Sequence, residues 1–420
     1  MTLIELYDRT PVENIVAALA LKPEKIIYVG SDSRKIRRSV PYYKKILEGR
    51  GIRPVMEVNT VAKNDLESIV AELFDLIESA EDDQLVVDIS GGDESVLVAL
   101  GMILGCCRAD GKNLYAFRIN VVSRRAVLYS IQKGENGRKK IERQQLDFSD
   151  GSQVYLTVEE NITLHGGRIL SKGINFPIGD AAAEDVRAMW EICRRDCSAW
   201  NAKIGVLSGA VSAYSDTGKK FMLPENAFGT GRNDVDRKLW NAFAERGLVI
   251  IDRKLSRDGL IIFSYKNKIV DECLNKSGSA LEYFIYLMGL EKREKAGYVF
   301  DDAQLSVVID WDDEPNGTSN EIDCIFMRGL VPVFVSCKNG DVKTDELYKL
   351  DAVSDKFGSG YAKKMLVSTV YFDPASRSYD GDRAVQTLRD RASDMYIRLL
   401  SLAHTMTEAE IGEDLAKAVR

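Results

Sequence analysis

The sequence predicts an α/β protein with one α/β domain at each end and a small module between them. Its first third alternates apolar strand patterns with amphipathic helix patterns, and residues 304–350 show three strand patterns followed by a helix. A length of 420 residues suits two or three domains, and 45% hydrophobic with 29% charged residues is a globular composition.

The N-terminal domain is predicted as a doubly wound parallel sheet. Five apolar runs predict its strands, at Thr2–Tyr7, Lys25–Gly30, Pro54–Val58, Leu85–Ile89 and Leu114–Ile119. Four helices are predicted between them, at Val12–Leu21, Arg34–Glu48, Asp65–Ser79 and Glu94–Cys107. Near-continuous apolar strands alternating with amphipathic helices are typical of such a sheet. Asn113–Ile131 predicts an antiparallel edge pair, Lys133–Asp150 an excursion or hairpin, and Gln153–Leu156 and Asn161–Leu164 short strands.

Three polar loops follow strands of this domain, at the edge where doubly wound sheets bind ligands. They contain Asp8, Arg9 and Thr10; Gly30, Ser31 and Asp32; and Ser90, Gly91, Gly92, Asp93 and Glu94. In the third loop, two glycines allow close approach of the backbone, and the amides that open the next helix can receive a phosphate. That loop fits a tight turn with a helix cap equally well. The glycine fingerprint of dinucleotide-binding enzymes is absent from the sequence, which disfavours a nucleotide-dependent oxidoreductase.

The middle of the chain predicts a winged-helix-like module. A helix at Asp180–Ser198 is followed by a second at Asp234–Arg246 and by strands at Leu248–Ile251 and Gly259–Tyr265. This module serves either as a spacer, the favoured interpretation, or as a DNA-binding unit. The basic residues that would contact DNA are Arg232, Arg237, Lys238 and Arg253.

The C-terminal domain opens with a helix at Ala280–Leu290. Strands follow at Gln304–Trp311, Glu321–Met327 and Pro332–Lys338, then a helix at Asp345–Phe357, a strand at Lys363–Tyr371 and a helix at Arg383–Leu400.

Side chains of a strand alternate between its two faces, so Glu321 and Asp323 share one face of their strand, and Ser336 and Lys338 share one face of theirs. If these faces coincide, a carboxylate and a lysine meet where Mg²⁺ or Mn²⁺ could bind, and such an ion activates water for attack on a phosphodiester. Glu282 and Asp310 are further metal-ligand candidates. The alternative is an ordinary half-buried sheet with a lysine at a strand end.

Composition narrows the classes of function. No run of eighteen apolar residues or secretory signal occurs, so we expect a cytoplasmic protein that does not bind membranes. Seven cysteines without metal-ligand spacing indicate reduced thiols, and only two histidines disfavour a histidine-rich metal site. A net charge of −7 argues against non-specific coating of nucleic acid, although a local basic groove remains compatible with it.

Glu282 on a helix, Asp323 on a strand, and Ser336 two residues before Lys338 resemble the PD-(D/E)xK nuclease core. The resemblance implies a restriction-endonuclease-like domain in which these four residues form the catalytic site. Ser336 departs from the family, which has Asp or Glu there. Either another carboxylate supplies the missing charge, or metal affinity is lower, or the site is inactive.

The N-terminal features resemble a CARF domain, the Rossmann-like sensor of cyclic oligoadenylates in type III CRISPR systems. That family has a polar loop after its first strand and a small-polar-Gly-Gly motif after its fourth, the places of the first and third loops here. Many relatives have Thr-Lys after the glycine pair, where this chain has Asp93 and Glu94.

A CARF-like domain followed by a PD-(D/E)xK-like domain resembles the Can2/Card1 group of CRISPR nucleases. With the middle module, the domains are expected at residues 1–165, 180–270 and 275–420. The resemblance implies a homodimer that binds cyclic tetra-adenylate across its sensor interface. It also implies an Mn²⁺- or Mg²⁺-dependent nuclease that this ligand opens and that cleaves DNA, RNA or both. The alternative is a non-catalytic, ligand-sensing DNA-binding regulator with a degenerate nuclease domain.

Overall fold

The computed structural model describes residues 1–82, 84–106, 113–133, 139–149, 154–214, 220–254, 256, 259–294, 297–311, 319–370 and 379–419. Within these residues, a seven-stranded sheet lies near the N-terminus, a three-stranded sheet in the middle and a six-stranded sheet near the C-terminus. The predicted α/β class is therefore confirmed. None of the helices in the described ranges is long and apolar enough to cross a membrane.

The N-terminal sheet is parallel with an antiparallel edge, as predicted. Its strands are β1 (Thr2–Leu6), β2 (Lys25–Gly30), β3 (Val55–Thr60), β4 (Gln84–Asp88), β5 (Asn113–Ile119), β6 (Arg125–Lys133) and β7 (Lys139–Asp147). Its helices are α1 (Val16–Leu21), α2 (Ser33–Gly49), α3 (Leu66–Ser79) and α4 (Glu94–Cys106). The strand order is β3-β2-β1-β4-β5-β6-β7, and only the pairings of β5 with β6 and of β6 with β7 are antiparallel. The hairpin interpretation of 133–150 is confirmed by the pairing of β6 with β7.

The prediction of short strands at Gln153–Leu156 and Asn161–Leu164 is wrong. Residues 154–157 are irregular, Gln153 lies outside the described residues, and the rest forms helix α5 (Val158–Leu164). Thr157 and Glu160 form a reciprocal capping box, which satisfies the first amides of this helix. The next strand, β8 (Arg168–Ser171), joins the edge of the six-stranded sheet. The domain limits given above stay a prediction.

The middle module has the predicted helix-strand-strand order. Its elements are α6 (Ala181–Cys193), α7 (Cys197–Tyr214), β9 (Phe221–Pro224), β10 (Phe228–Gly229), β11 (Val235–Asp236), α8 (Arg237–Glu245), β12 (Val249–Ile251), β13 (Leu260–Tyr265) and α9 (Lys268–Asn275). Strand β13 pairs antiparallel with β12 and with β9. The helix predicted at Asp180–Ser198 is divided between α6 and α7. Arg237 stacks 3.8 Å from the ring centroid of Phe228 and pairs with Glu225, so this arginine stabilises the module.

The C-terminal unit wraps helices around a mixed sheet in the order β20-β19-β18-β17-β16-β8. Its elements are α10 (Ser279–Glu291), β14 (Arg293–Glu294), β15 (Gly297–Tyr298), β16 (Asp302–Asp310), β17 (Ser319–Arg328), β18 (Val331–Lys338), α11 (Thr344–Gly358), β19 (Lys363–Ser368), α12 (Tyr379–Asp394), β20 (Ile397–Leu400) and α13 (Glu408–Ala418).

The predicted helix Arg383–Leu400 is wrong at its end. It stops at Asp394, Tyr396 adopts a left-handed φ of 55°, and Ile397–Leu400 pairs with β19. Tyr371, the predicted end of the preceding strand, lies outside the described residues.

Candidate active site and ligand pocket

Strands β16 and β17 are antiparallel neighbours in the C-terminal sheet, and the same faces of both strands switch from one hydrophobic core to the other at one shared position. Leu305 and Cys324, which pair across β16 and β17, pack in the core that contains helix α10. Val307 and Ile322, the next pair along the same strands, pack in the other core. Between them, Ser306 has a left-handed φ of 46°. Ser306 and Asp323 are the two residues at this irregular position, and Ser306 Oγ lies 3.5 Å from Glu282 Oε2 of α10.

Asp323 is the centre of a polar cluster at the end of β18. Its Oδ2 atom accepts hydrogen bonds from the backbone N–H of Cys337 at 2.6 Å and from Ser336 Oγ at 3.1 Å. Lys338 Nζ lies 3.8 Å from the same oxygen and 3.1 Å from Glu346 Oε2 in the first turn of α11. Asp323, Ser336 and Lys338 therefore converge, in the arrangement that the sequence pattern predicts.

Glu282 faces this cluster from the first turn of α10 and is buried. Ser306 Oγ donates to its Oε2 at 3.5 Å, a long contact. Burial, and then the nearby charge of Asp323, raise the pKa of Glu282 to about 7. Burial also raises the pKa of Asp323. Two inward-facing carboxylates that repel each other fit a hard divalent cation, since the cation would relieve both desolvation and repulsion.

The carboxylates of Glu282 and Asp323 form a small set of candidate metal ligands. Within the residues that the structure describes, no group of three or more His, Cys, Asp and Glu side chains could hold a metal ion. Glu282 and Asp323 could therefore supply two oxygens, with hydroxyls and water completing the coordination shell. Mg²⁺ and Mn²⁺ tolerate such a shell, because Mg²⁺ characteristically keeps several waters.

Asp310 does not join these residues. It pairs with Ser319 across β16 and β17, four residues along β17 from Asp323, which corresponds to about 13 Å of strand. Its Oδ2 atom instead lies 3.1 Å from Arg168 Nη2.

Lys276 and Ser306 belong to the site, and neither was predicted from the sequence. Lys276, between α9 and α10, has its Nζ atom 3.6 Å from Glu282 Oε1 and 3.2 Å from Glu321 Oε1. Nothing in the linear pattern predicts that position, because it depends on how the middle module packs. Ser306 left a signal, since it is a polar residue within an otherwise apolar run of β16.

The three N-terminal loops also converge. They border a cavity of about 540 Å³ that is lined by Tyr7, Asp8, Arg9, Gly30, Ser31, Asp32, Lys35, Lys63, Gly92, Asp93 and Glu94. Thr10, Ser90 and Gly91 were predicted as ligand contacts and are not among the lining residues. Lys35 and Lys63 were missed, although Lys35 lies in the first turn of α2 beside a predicted loop.

Several residues that were predicted to contact the ligand make contacts that hold the loops together. Asp8 Oδ2 accepts from the backbone N–H of Gly92 at 3.1 Å, and Asp8 Oδ1 accepts from that of Thr10 at 2.7 Å. A Cβ atom at Gly91 would lie 2.7 Å from the Cβ of Asp8, so only glycine fits there. Ser90 Oγ donates to Asp88 Oδ1 at 2.6 Å and so points into the sheet rather than into the cavity.

A buried pair of carboxyl groups lies beneath the loops. Glu5 and Asp88 are paired residues on β1 and β4, and both are buried. Burial raises the pKa of Asp88 to about 7, and burial with the charge of Asp88 raises the pKa of Glu5 well above its usual value. Among the residues that the structure describes, Asp88 Oδ2 and both carboxyl oxygens of Glu5 have no hydrogen-bond partner. A proton held between them would supply that bond.

Residues 273–388 match the family model described as the Card1-like endonuclease domain. That range contains Lys276, Glu282, Asp323, Ser336 and Lys338, and the match confirms the resemblance of this part of the chain to Card1-like nucleases. A search of curated proteins finds no match.

Two solved structures show the same fold along the whole chain. Protein VC1899 from Vibrio cholerae is 15% identical, with a TM-score of 0.68 and coverage of 100% of this chain and 98% of its own. Can2 from Sulfobacillus thermosulfidooxidans, solved in complex with cyclic tetra-adenylate, is 15% identical, with a TM-score of 0.62 and coverage of 100% and 99%. These similarities confirm the fold of the chain.

Proposed function

We propose that this chain, which carries a Card1-like endonuclease domain, is a cyclic oligoadenylate-activated nuclease that depends on a divalent metal and cleaves phosphodiester bonds of DNA, RNA or both. One observation carries the proposal. Glu282, Asp323 and Lys338 come from α10, β17 and β18, and they meet with Lys338 Nζ 3.8 Å from Asp323 Oδ2. A purely structural sheet has no need to hold two partly desolvated carboxylates beside a lysine.

In this proposal Glu282 and Asp323 hold Mn²⁺ or Mg²⁺. The bound ion supplies Lewis acidity, which makes a water molecule a stronger nucleophile. Ser336 donates its hydrogen bond to Asp323 and so fixes the orientation of that carboxylate. Lys338, held between Asp323 and Glu346, orients the attacking water and offsets negative charge on the phosphate. Asp310 has no part in this set, because Arg168 neutralises it.

The cavity in the N-terminal domain is the proposed sensor site. Can2 binds cyclic tetra-adenylate and shares the fold of this chain, which supports the same activator here. Arg9, Lys35 and Lys63 bring positive charge to the cavity wall, where they can pair with phosphates. In the proposed homodimer two such cavities face one ligand. Ligand binding would shift a pre-existing equilibrium toward the open nuclease.

One observation favours a second function. Ser336 occupies the place of an acid, and a hydroxyl is a weaker metal ligand than a carboxylate. The chain would then be a ligand-sensing regulator that does not cleave, with Arg232, Lys238 and Arg253 exposed on the middle module for DNA binding.

A cleavage assay separates the two functions. Purified protein is incubated with Mn²⁺ or Mg²⁺ and with supercoiled plasmid, single-stranded DNA or RNA, with and without cyclic tetra-adenylate. The nuclease proposal expects cleavage only with the ligand and none in Lys338→Ala. Absence of cleavage despite tight ligand binding would contradict it and support the regulator.

A further inference from the structure

Lys276 is a second lysine, besides Lys338, whose ammonium group lies at the candidate active site. It directly follows α9, and its Nζ atom lies 3.6 Å from Glu282 Oε1 and 3.2 Å from Glu321 Oε1. The side chain of Glu282 is only 5% exposed, whereas that of Glu321 is 46% exposed. The ammonium group therefore joins a buried carboxylate to one that faces solvent.

Lys338 has the same relationship to Asp323, the other buried carboxylate of the site. Its Nζ atom lies 3.8 Å from Asp323 and 3.1 Å from Glu346, whose side chain is 24% exposed. The two buried carboxylates, those of Glu282 and Asp323, thus lie 3.6 Å and 3.8 Å, respectively, from one lysine ammonium group each. Each of these ammonium groups also pairs with a second, more exposed carboxylate, that of Glu321 or Glu346. Such pairing is expected, because a buried carboxylate without a neighbouring positive charge is strongly disfavoured.

A divalent cation would bring its charge to the oxygens that these lysines now approach. An ammonium group beside Glu282 repels that cation, so both cannot keep their full interaction with the same carboxylate. Glu321 gives the displaced ammonium group a place to remain. Removal of the Lys276 charge would therefore favour metal binding.

We infer that Lys276 is a positioning residue that neutralises Glu282 in the metal-free protein, is displaced onto Glu321 when a divalent metal binds, and thereby weakens metal affinity. The inference rests on the proposed metal site at Glu282 and Asp323. Because Lys276 follows the last helix of the middle module, a shift of that module against α10 would change how well the site holds metal.

The test measures Mn²⁺ binding to the full chain by isothermal titration calorimetry at about pH 8, above the pKa of Glu282. Lys276→Met is expected to bind Mn²⁺ about three- to tenfold more tightly than the wild type. Lys276→Arg, which keeps the charge, should retain the wild-type affinity. Lys268→Met, which removes an exposed lysine from the other end of α9, should also leave it unchanged. Unchanged or weaker binding in Lys276→Met would overturn the inference.

Two further variants complete the test. Asp323→Asn should lose Mn²⁺ binding, and if it does while Lys276→Met binds like the wild type, only the inference fails. If Asp323→Asn binds Mn²⁺ as the wild type does, the proposed metal site fails and the inference with it. Glu321→Gln should weaken Mn²⁺ binding more in the wild type than in Lys276→Met. An equal effect in both backgrounds would overturn displacement onto Glu321.

Discussion

The hydroxyl group of Tyr361 donates a hydrogen bond to the carboxylate of Glu13. Glu13 lies directly after the first ligand loop, and a Cβ atom at Gly91 of the third loop would lie 3.1 Å from its Cβ. Tyr361 follows α11, the helix whose first turn holds Glu346 beside Lys338. This bond therefore joins the segment that follows the first loop of the proposed sensor site to the end of a helix whose first turn contacts the proposed catalytic lysine.

Tyr361→Phe removes this bond and should weaken coupling between ligand and nuclease. Because Glu13 is not among the residues that line the cavity, ligand affinity should change little, while ligand-stimulated cleavage should fall several-fold. Loss of one hydrogen bond should also lower the free energy of unfolding by about 1 kcal/mol. Cleavage rates across a ligand titration measure the effect. Tyr396→Phe, which changes a tyrosine that is 90% exposed, is the control. Unaltered stimulation in Tyr361→Phe would exclude this bond from the coupling.

Lys338→Ala should abolish cleavage and leave ligand binding intact. Loss of a group that orients water and offsets transition-state charge typically costs 100-fold or more, so we expect a rate at least about 100-fold lower. Single-turnover cleavage with saturating ligand gives the rate, and calorimetry gives ligand affinity. Lys349→Ala provides the control, because Lys349 also pairs with Glu346 but is 63% exposed. Activity in Lys338→Ala equal to that of the control would remove Lys338 from the mechanism.

Much of the fold could be predicted because its signals are local. Buried parallel strands such as Ile26–Val29 are apolar without interruption, and amphipathic helices separate them. The errors occurred where a few polar atoms decide the structure. The capping box of Thr157 and Glu160 starts a helix in a segment that was predicted as a strand, and the left-handed turn at Tyr396 starts a strand in a segment that was predicted as a helix.

The part of the candidate site that could be predicted from the sequence is the part that lies on strands adjacent both in the chain and in the sheet. Asp323, Ser336 and Lys338 lie on adjacent strands, so their meeting follows from alternation and pairing. Lys276 reaches Glu282 through the packing of α9 against α10, and linear spacing carries no information about that contact. Asp310 shows the converse, since its sequence position suggested a ligand while the strand register carries it away toward Arg168.

Ser336→Glu should supply the acid that PD-(D/E)xK nucleases, which this site resembles, have at this place, and it should make stability depend on metal. Ser336 is buried, and its hydroxyl lies 3.1 Å from Asp323, so a new carboxylate adds repulsion to a site that already holds Glu282. Without metal, the free energy of unfolding should fall by roughly 2 kcal/mol. With Mn²⁺, the variant should gain more thermal stability than the wild type does. Thermal unfolding with and without Mn²⁺ measures both effects.

Ser336→Gln is the matched variant for that experiment, because it adds nearly the same volume without the charge. It should lose stability through overpacking and show no additional stabilisation by Mn²⁺. If Ser336→Gln and Ser336→Glu respond to Mn²⁺ equally, position 336 does not face the metal.

Asp88→Asn should stabilise the protein at neutral pH. Burial raises the pKa of Asp88 from 3.8 to about 7, so between these values the folded protein keeps a proton that the unfolded chain has lost. Wild-type stability therefore falls as pH rises through that window, and the loss is complete above about pH 7. Asparagine cannot ionise, and its Oδ1 atom can still accept the two bonds from Ser90. We expect a gain of roughly 2 kcal/mol in the free energy of unfolding at pH 8 and little gain near pH 4.

Urea unfolding of Asp88→Asn and the wild type at several pH values measures that difference. Asp75→Asn, at an exposed position of α3, controls for the loss of a carboxylate and should show no comparable pH dependence. A stability difference that stays constant with pH would mean that folding does not raise the pKa of Asp88.

Lys35 and Lys63 should both strengthen binding of cyclic tetra-adenylate, because they are the lysines that line the sensor cavity. Each is exposed, so its contribution through screened charge is modest, and Lys35→Met or Lys63→Met should weaken binding about three- to tenfold. The loss should shrink as salt concentration rises. Lys44→Met is the matched control, because Lys44 lies on the opposite side of α2 from Lys35 and pairs with Glu48. Calorimetric affinities at two salt concentrations test this. If all three variants bind like the wild type, backbone amides of the loops rather than lysines recognise the phosphates.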